Sequence, residues 1–130
     1  MMNISDVTKR TGVPAKTIRY YEDIGLLSPK RQANGYREFR ESDVHKLAFL
    51  GRARSLGFPI DSCRSLLALY EDQSRASADV KDIARTHLHE IDQKLAELKA
   101  MRDTLSDLIG ACAGDHRPDC PILKDLAVLD

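Results

Sequence analysis

Residues 4–27, ISDVTKRTGVPAKTIRYYEDIGLL, contain the strongest fold signal of the sequence. It predicts a short helix that begins at a capping Ser5 and stops at Gly12. A second helix is predicted over residues 15–23, after a proline, with Gly25 at its carboxyl end. The side chains expected to face inward are Val7, Ile18 and Tyr21. Two short helices joined by a turn that contains glycine form a helix-turn-helix, whose second helix normally enters the DNA major groove.

The second helix carries polar and basic side chains among its apolar positions, namely Lys16, Thr17, Arg19 and Tyr20. Lysine and arginine neutralise phosphates, threonine contacts base edges or phosphate, and arginine can bind guanine with two hydrogen bonds. This composition favours a DNA-contacting helix. The alternative is a small helical pair with a solvated basic face, because helix-turn-helix patterns also occur without DNA binding.

The segment SPKRQANGYREF, residues 28–39, predicts a basic β-hairpin. Asn34-Gly35 is a hairpin signal because both residues tolerate a positive φ. The residues that flank the turn and make it basic and aromatic are Lys30, Arg31, Tyr36, Arg37 and Arg40. A basic hairpin directly after a helix-turn-helix is interpreted as a wing that lies along the phosphate backbone. The alternative is an ordinary solvated turn.

Two more helices are predicted to complete a winged helix-turn-helix domain over residues 1–70. The first begins at Ser42-Asp43 and runs for about fifteen residues to Gly57, and the second runs from Pro59 to Tyr70. The expected core positions are Val44, Leu47, Leu50, Leu56, Ile60, Leu66, Leu67 and Leu69. Cys63 is expected to be a buried or half-buried residue of the second helix rather than a metal ligand.

A long helix is predicted over residues 80–110, because no glycine or proline interrupts residues 80–109. Its first thirty residues correspond to a rod of roughly 45 Å. The polar segment 71–79 before it is interpreted as a hinge. One face carries an apolar stripe: Leu88, Ile91, Leu95, Leu98, Met101, Leu105 and Ile109. Little of the chain remains to cover this stripe, so we expect a second copy to do so in an antiparallel coiled-coil homodimer. The alternative is packing against the amino-terminal lobe.

The composition, 42% hydrophobic and 31% charged, is typical of a soluble globular protein. No apolar run approaches the roughly 18 residues that span a bilayer, and the amino terminus does not resemble a signal peptide. We therefore expect a cytoplasmic protein without membrane contact, whose thiols stay reduced. Residues 1–60 hold 11 Lys/Arg against 6 Asp/Glu, whereas residues 61–130 hold 9 against 14. The basic first part favours an anionic polymer as partner.

The carboxyl-terminal segment, residues 111–130, contains CAGDHRPDC with Cys112 and Cys120 at its ends. A disulfide is sterically possible but disfavoured in a reducing compartment. A structural zinc site needs four ligands, and the side chains that could complete one are Asp115, His116 and Asp119. Two thiolates without a third suit a monovalent d¹⁰ ion that accepts linear coordination, Cu(I), Ag(I) or Au(I). A divalent site remains the alternative.

Other classes of function lack their characteristic residues. A regulator that senses an organic molecule needs a substantial ligand-binding domain, and only residues 111–130 follow the long helix. An iron–sulfur sensor usually needs about four cysteines, and the chain has 3. The sequence shows no recognisable set of nucleophile, base and orienting group, so nothing in it indicates an enzyme.

The motifs TIRYYEDIGLLSP, NGYREF, RARSLGF and SADVK, followed by a helix and CAGDHRPDCPI, resemble the MerR family of transcription regulators along the whole chain. The last arrangement is similar to the copper-efflux, CueR-like branch. The resemblance implies a dimer that binds a palindromic operator inside an overlong promoter spacer. Metal binding would bend and undertwist this DNA so that RNA polymerase can use the promoter, activating efflux or detoxification genes. The DNA contacts that it implies are Lys16, Thr17, Arg19, Tyr20, Tyr36 and Arg37.

The resemblance also gives Ser77 and Lys81 a role near the metal. Relatives that sense divalent ions place a cysteine at position 77, where it would supply a further thiolate from the partner subunit. Serine instead leaves a helix amino terminus whose N–H groups and dipole favour a net-negative complex. Ser77 is expected to cap the long helix, and Lys81 to add positive potential. Two thiolates with a monovalent ion carry a net charge of −1, which such a pocket would prefer to a neutral complex.

Overall fold

A computed structural model describes residues 2–129 and is mainly helical, which confirms the predicted fold class. Within that range the elements are α1 (Ile4–Thr11), α2 (Ala15–Asp23), β1 (Lys30–Arg31), β2 (Arg37–Glu38), α3 (Glu41–Ser55), α4 (Ile60–Glu71), α5 (Ser77–Ala111) and α6 (Pro121–Leu126). The chain divides into a first compact unit that ends at Ile83 and a second that begins at Ala84.

The helix-turn-helix consists of α1 and α2, and α2 has the predicted bounds. The predicted cap of α1 is wrong, because Asn3 and not Ser5 is its amino-terminal cap. Asn3 Oδ1 accepts a hydrogen bond of 2.9 Å from the Asp6 N–H, and the Asp6 carboxylate accepts one of 3.0 Å from the Asn3 N–H. This reciprocal pair satisfies two helix donors at once. The turn after α1 is made by Gly12 with φ of 76°.

The core of the first unit is formed by side chains from α1 to α4 and from the segments that connect them. Its most deeply buried members are Val7, Ile18, Leu27, Phe39, Leu47, Leu50 and Cys63. The prediction for Leu56 is wrong, since this side chain is 50% exposed. It follows the last residue of α3, where Gly57 with φ of 84° redirects the backbone. Phe58 packs against the core after that turn.

The wing hairpin is closed by a three-residue loop rather than by a two-residue Asn-Gly turn. Lys30 pairs with Glu38 and Arg31 with Arg37 in antiparallel register. The Gln32 N–H donates to the Tyr36 carbonyl at 2.8 Å, which leaves residues 33–35 as the loop. Gly35 has a φ of 85°, and no described residue other than glycine has a positive φ. A type I turn followed by one glycine in the left-handed conformation reverses the chain with a single positive φ, whereas an Asn-Gly turn needs two.

The long helix α5 begins at Ser77, three residues before the predicted start, so the polar connection to α4 is shorter than the predicted hinge. Ser77 is therefore the first helical residue rather than the residue before the helix. The apolar stripe is largely solvent-exposed at Leu88, Leu95, Leu98, Met101, Leu105 and Ile109. Within the described part of the chain, none of the helices is long and apolar enough to cross a membrane.

Candidate functional site

Three of the six predicted DNA-contacting residues line one groove of about 480 Å³ between α2, the wing and residues 2–4, called the α2–wing groove below. Arg19 comes from the exposed face of α2, whereas Tyr36 and Arg37 come from the end of the hairpin loop and from β2. Tyr36 is 73% exposed, although it is a large aromatic side chain. The groove therefore presents a guanidinium and a phenol to solvent, which are groups that bind phosphate and base edges.

The other three predicted DNA-contacting residues lie on α2 outside this groove. Lys16 and Tyr20 are exposed and four residues apart, so they share one helix face. Thr17 is half-buried and lines a second, shallow depression together with Pro14 and Arg52. The structure thus separates Thr17 from the groove that contains Arg19.

Glu22 on the last turn of α2 connects this helix to both strands of the wing, and sequence reasoning missed it. Its Oε1 atom lies 2.7 Å from Arg37 Nε and 3.1 Å from Arg31 Nη2. The Glu22 side chain is 17% exposed and that of Arg37 22%. The signal that could have identified it is the acidic pair Glu22-Asp23 at the end of a helix that is followed by the basic wing.

The second candidate site is the pair Cys112 and Cys120, whose Sγ atoms lie 3.8 Å apart. Both side chains are half-buried, and both thiols are free. Cys112 directly follows α5, where its N–H donates to the Leu108 and Ile109 carbonyls at 3.1 and 3.2 Å. Cys120 directly precedes α6. Two helix ends therefore hold the two thiols close together.

The position of Cys120 favours its thiolate, which is the form that binds metals. The backbone N–H of Leu123 is the main cause that lowers the pKa of the Cys120 thiol, opposed by burial and reinforced by the Ile122 N–H and the Cys112 thiol. Cys63 has the opposite environment, because burial raises the pKa of its thiol. Cys63 is fully buried in the core, as predicted, which makes it a poor ligand.

The other potential ligands of the loop do not join the two thiols. Asp115 accepts hydrogen bonds from the side chain of Arg117 at 2.9 Å and from its backbone N–H at 3.0 Å. His116 and Asp119 are exposed. In residues 2–129, no group of three or more His, Cys, Asp or Glu side chains could hold a metal ion. The loop therefore offers two thiolates, and its carboxylate at Asp115 stabilises the turn.

The sulfur separation can be compared with the needs of a bound ion. Two metal–sulfur bonds of about 2.3 Å place the sulfurs about 3.8 Å apart around a tetrahedral ion and about 4.6 Å apart across a linear one. The observed 3.8 Å therefore equals the tetrahedral value. Rotation about the Cα–Cβ bond of one half-buried cysteine can supply the further separation of roughly 0.8 Å that linear coordination needs. The donor set thus fits a two-coordinate ion after a local adjustment.

Ser77 and Lys81 are both exposed and lie in the first two turns of α5, whereas Cys112 follows its last residue. Ser77 and Lys81 belong to the first compact unit and Cys112 to the second. The role of Ser77 and Lys81 near the metal therefore stays a prediction.

Comparison with known proteins places this arrangement in a family. Residues 2–69 match the family model described as MerR HTH family regulatory protein, and residues 44–108 match the model described as MerR, DNA binding. The chain is 60% identical to the HTH-type transcriptional regulator HmrR of Rhizobium leguminosarum bv. viciae, over 97% of this chain and 98% of that one. It is 43% identical to the HTH-type transcriptional regulator CueR of Salmonella typhimurium, over 97% and 92%.

A solved structure with a similar fold is the transcription regulator PbrR691 from Ralstonia metallidurans CH34 in complex with lead(II). It matches with a TM-score of 0.85 at 30% identity, over 98% of this chain and 100% of that one. The helix-turn-helix, the basic wing and the long helix of the present chain thus have counterparts along the full length of known regulators. The chain belongs to the MerR family of transcription regulators, which are DNA-binding proteins and not enzymes.

Proposed function

We propose that this regulator activates transcription when a monovalent ion, Cu(I) or the chemically similar Ag(I) or Au(I), binds to Cys112 and Cys120. The observation that carries the proposal is the number of ligands: among residues 2–129 no third metal-binding side chain joins the two thiols, and the neighbouring carboxylate of Asp115 is engaged by Arg117. Soft thiolates select soft ions, and a ligand number of two selects ions that accept linear coordination. The regulated genes would encode efflux or detoxification of that ion.

The second candidate is a sensor of a divalent ion. The sulfur separation of 3.8 Å equals the tetrahedral value of about 3.8 Å, and the similar PbrR691 was solved with lead(II). A tetrahedral ion needs two further ligands. Because Asp115 is engaged by Arg117 and, among residues 2–129, no further metal-binding side chain joins the two thiols, we rank this candidate second.

The proposed regulator is a cytoplasmic homodimer that binds a palindromic promoter operator. Members of this family bind promoter DNA and act with RNA polymerase. The α2–wing groove, with Arg19, Tyr36 and Arg37, would contact one half-site in each subunit, and a paired α5 stripe would fix the distance between half-sites. Activation would then be a change of DNA shape rather than of base contacts.

Ser77 and Lys81 of a partner subunit would make the site selective for the net charge of the complex that the metal ion forms with the two thiolates. In an antiparallel pair of α5 helices, the first turn of one helix would lie beside the last turn of the other. Ser77 and Lys81 of one subunit would then lie near the two thiols of the other subunit. The first turn of α5 points N–H groups outward and Lys81 adds a positive charge, so a complex of net charge −1 is favoured over a neutral one. Two thiolates give −1 with a monovalent ion and zero with a divalent ion.

Replacing Arg19 by alanine should weaken operator binding about tenfold, because a side chain that contacts a base edge or phosphate contributes roughly 1–3 kcal/mol. The measurement is fluorescence anisotropy on an operator duplex selected by the wild-type protein from a randomised library. The slope of log K against log salt should also become shallower by about one unit if the lost contact is to phosphate. Arg85→Ala, which removes an exposed cation from α5, is the charge control and should bind as wild type. Equal affinities of Arg19→Ala and wild type would contradict the proposed contact.

Replacing Ser77 by cysteine should extend the transcriptional response to Zn(II). A third thiolate returns a divalent complex to a net charge of −1, and a bond worth more than about 1.4 kcal/mol would lower the activating concentration at least tenfold. The measurement is run-off transcription in buffered Zn(II) and buffered Cu(I). Ala78→Cys is the matched control, because it moves the same thiol about 100° around the helix. An unchanged ion preference in Ser77→Cys would count against the charge argument.

A further inference from the structure

The wing is a small hairpin with little regular structure of its own. Each of its strands has two residues, β1 and β2. A two-stranded hairpin by itself is marginally stable at best. Its base is fixed by Phe39, which is buried in the core and whose N–H donates to the Met2 carbonyl at 2.9 Å. The orientation of the rest of the hairpin depends on contacts nearer its tip.

Glu22 makes such contacts with both strands. One carboxylate oxygen of this α2 residue accepts from Arg37 Nε at 2.7 Å and from Arg31 Nη2 at 3.1 Å. Arg31 also donates from Nη1 to the Gly35 carbonyl in the loop, at 3.0 Å. Helix, strands and loop are therefore joined through one largely buried carboxylate.

We propose that Glu22 is a positioning residue that sets the angle between the wing and the recognition helix α2 and thereby the specificity for the operator. The inference deepens the proposed function and rests on it, because it assumes that Arg19 and the wing contact the same DNA. Arg37 uses its Nε atom for Glu22, and a guanidinium has five N–H donors. The remaining donors of Arg37 would then face the groove in a fixed orientation, ready for a phosphate.

The direction in which operator affinity changes when Glu22 is neutralised distinguishes a positioning role from a purely electrostatic one. Glu22 is a negative charge beside a surface that is proposed to bind a polyanion, so its neutralisation alone should tighten binding to any DNA. If Glu22 instead holds the wing in register with α2, the same neutralisation should weaken binding to the operator, where both elements must fit at once. Binding to unrelated DNA, which depends on charge and not on register, should not weaken.

The test is Glu22→Gln, which keeps the size of the side chain and removes its charge. Affinities are measured for the selected operator and for a duplex of the same base composition in scrambled order. We expect operator affinity to fall roughly tenfold, within the range found for residues of one ion-pair network, while scrambled DNA binds equally or more tightly. The ratio of the two affinities does not depend on the fraction of folded protein, so a loss of stability cannot imitate this result. A ratio equal to that of wild type would overturn the inference.

Asp23→Asn is the matched control. It neutralises the neighbouring acidic residue on the same helix, which is exposed. We expect its ratio of operator to scrambled affinity to stay within about twofold of wild type, the usual error for independent sites. If the affinity ratio fell as much in Asp23→Asn as in Glu22→Gln, the effect would be due to the acidic charge of α2 in general. That result would refute a specific role for Glu22.

A variant that lacks both wing arginines separates this inference from the proposed function. In Arg31→Ala/Arg37→Ala, the further change Glu22→Gln should alter operator affinity less than about twofold, because its partners are gone. If the double variant alone binds the operator as wild type does, the proposed DNA contact of Arg37 is wrong. A full effect of Glu22→Gln in the double variant would instead refute positioning through these arginines.

Discussion

The Cys112→Ser protein is expected to lose metal-induced transcription while it keeps its affinity for the operator. Cys112 supplies one of two sulfurs that lie 3.8 Å apart, so its loss halves the donor set. A serine hydroxyl is nearly the same shape, but it is a hard, protonated oxygen that does not replace a thiolate for a soft ion. Arg19, Tyr36 and Arg37, which we propose contact DNA, belong to the first unit, which the substitution does not alter.

The expected size of this effect is complete loss of activation at metal concentrations that saturate the wild type. Run-off transcription from a promoter that carries the selected operator measures it, with anisotropy on the same DNA as the second readout. Cys63→Ala is the control, because it removes a thiol from the core rather than from the loop. It should respond to metal as wild type does, although the small cavity lowers its stability by about 1 kcal/mol. Normal activation of Cys112→Ser would show that the site is elsewhere.

The second large effect concerns the exposed stripe of α5. Leu98 is 58% exposed in the single chain, midway along that stripe. If two copies pair through the stripe, Leu98→Lys removes two buried leucines per dimer, each worth about 1.5–3 kcal/mol. The dimer dissociation constant should then rise at least about 100-fold, and operator binding should weaken with it because one monomer reaches only one half-site.

Sedimentation of the purified protein at micromolar concentration measures this change directly. Gln93→Lys introduces the same side chain at an exposed position on the opposite face of α5 and should sediment as a dimer. A dimeric Leu98→Lys protein would exclude the stripe as the interface. A wild-type protein that sediments as a monomer would exclude the coiled coil.

Helix bounds were predictable where strong local signals occur. Pro14 and Gly25 bracket α2, and its predicted range agrees with the structure. Asn3 and Ser5 are both good caps, and the choice between them depends on the start of the chain lying beside Phe39, where Met2 forms a bridge. The pairing of Met2 with Phe39 joins residues that are distant in sequence, so local sequence signals do not indicate it. The cap of α1 was therefore predicted at the wrong residue.

The candidate site was predictable in its residue types but not in its contacts. Basic and aromatic positions on α2 and in the wing indicated a DNA-contacting surface, and three of them line one groove. The Glu22–Arg37 contact joins residues 15 positions apart, and such pairs follow from packing rather than from periodicity. In the same way, the spacing of Cys112 and Cys120 did not reveal that Asp115 is held by Arg117.

The proposed function depends on the response of two thiolates, those of Cys112 and Cys120, to a monovalent ion. The most direct measurement is run-off transcription by purified, reduced protein and RNA polymerase, with Cu(I) and Zn(II) buffered in separate titrations on the same promoter. We expect activation by Cu(I) at free concentrations far below those at which Zn(II) has any effect. Activation by Zn(II) at a free concentration equal to or lower than that of Cu(I) would refute the monovalent sensor and favour the divalent alternative.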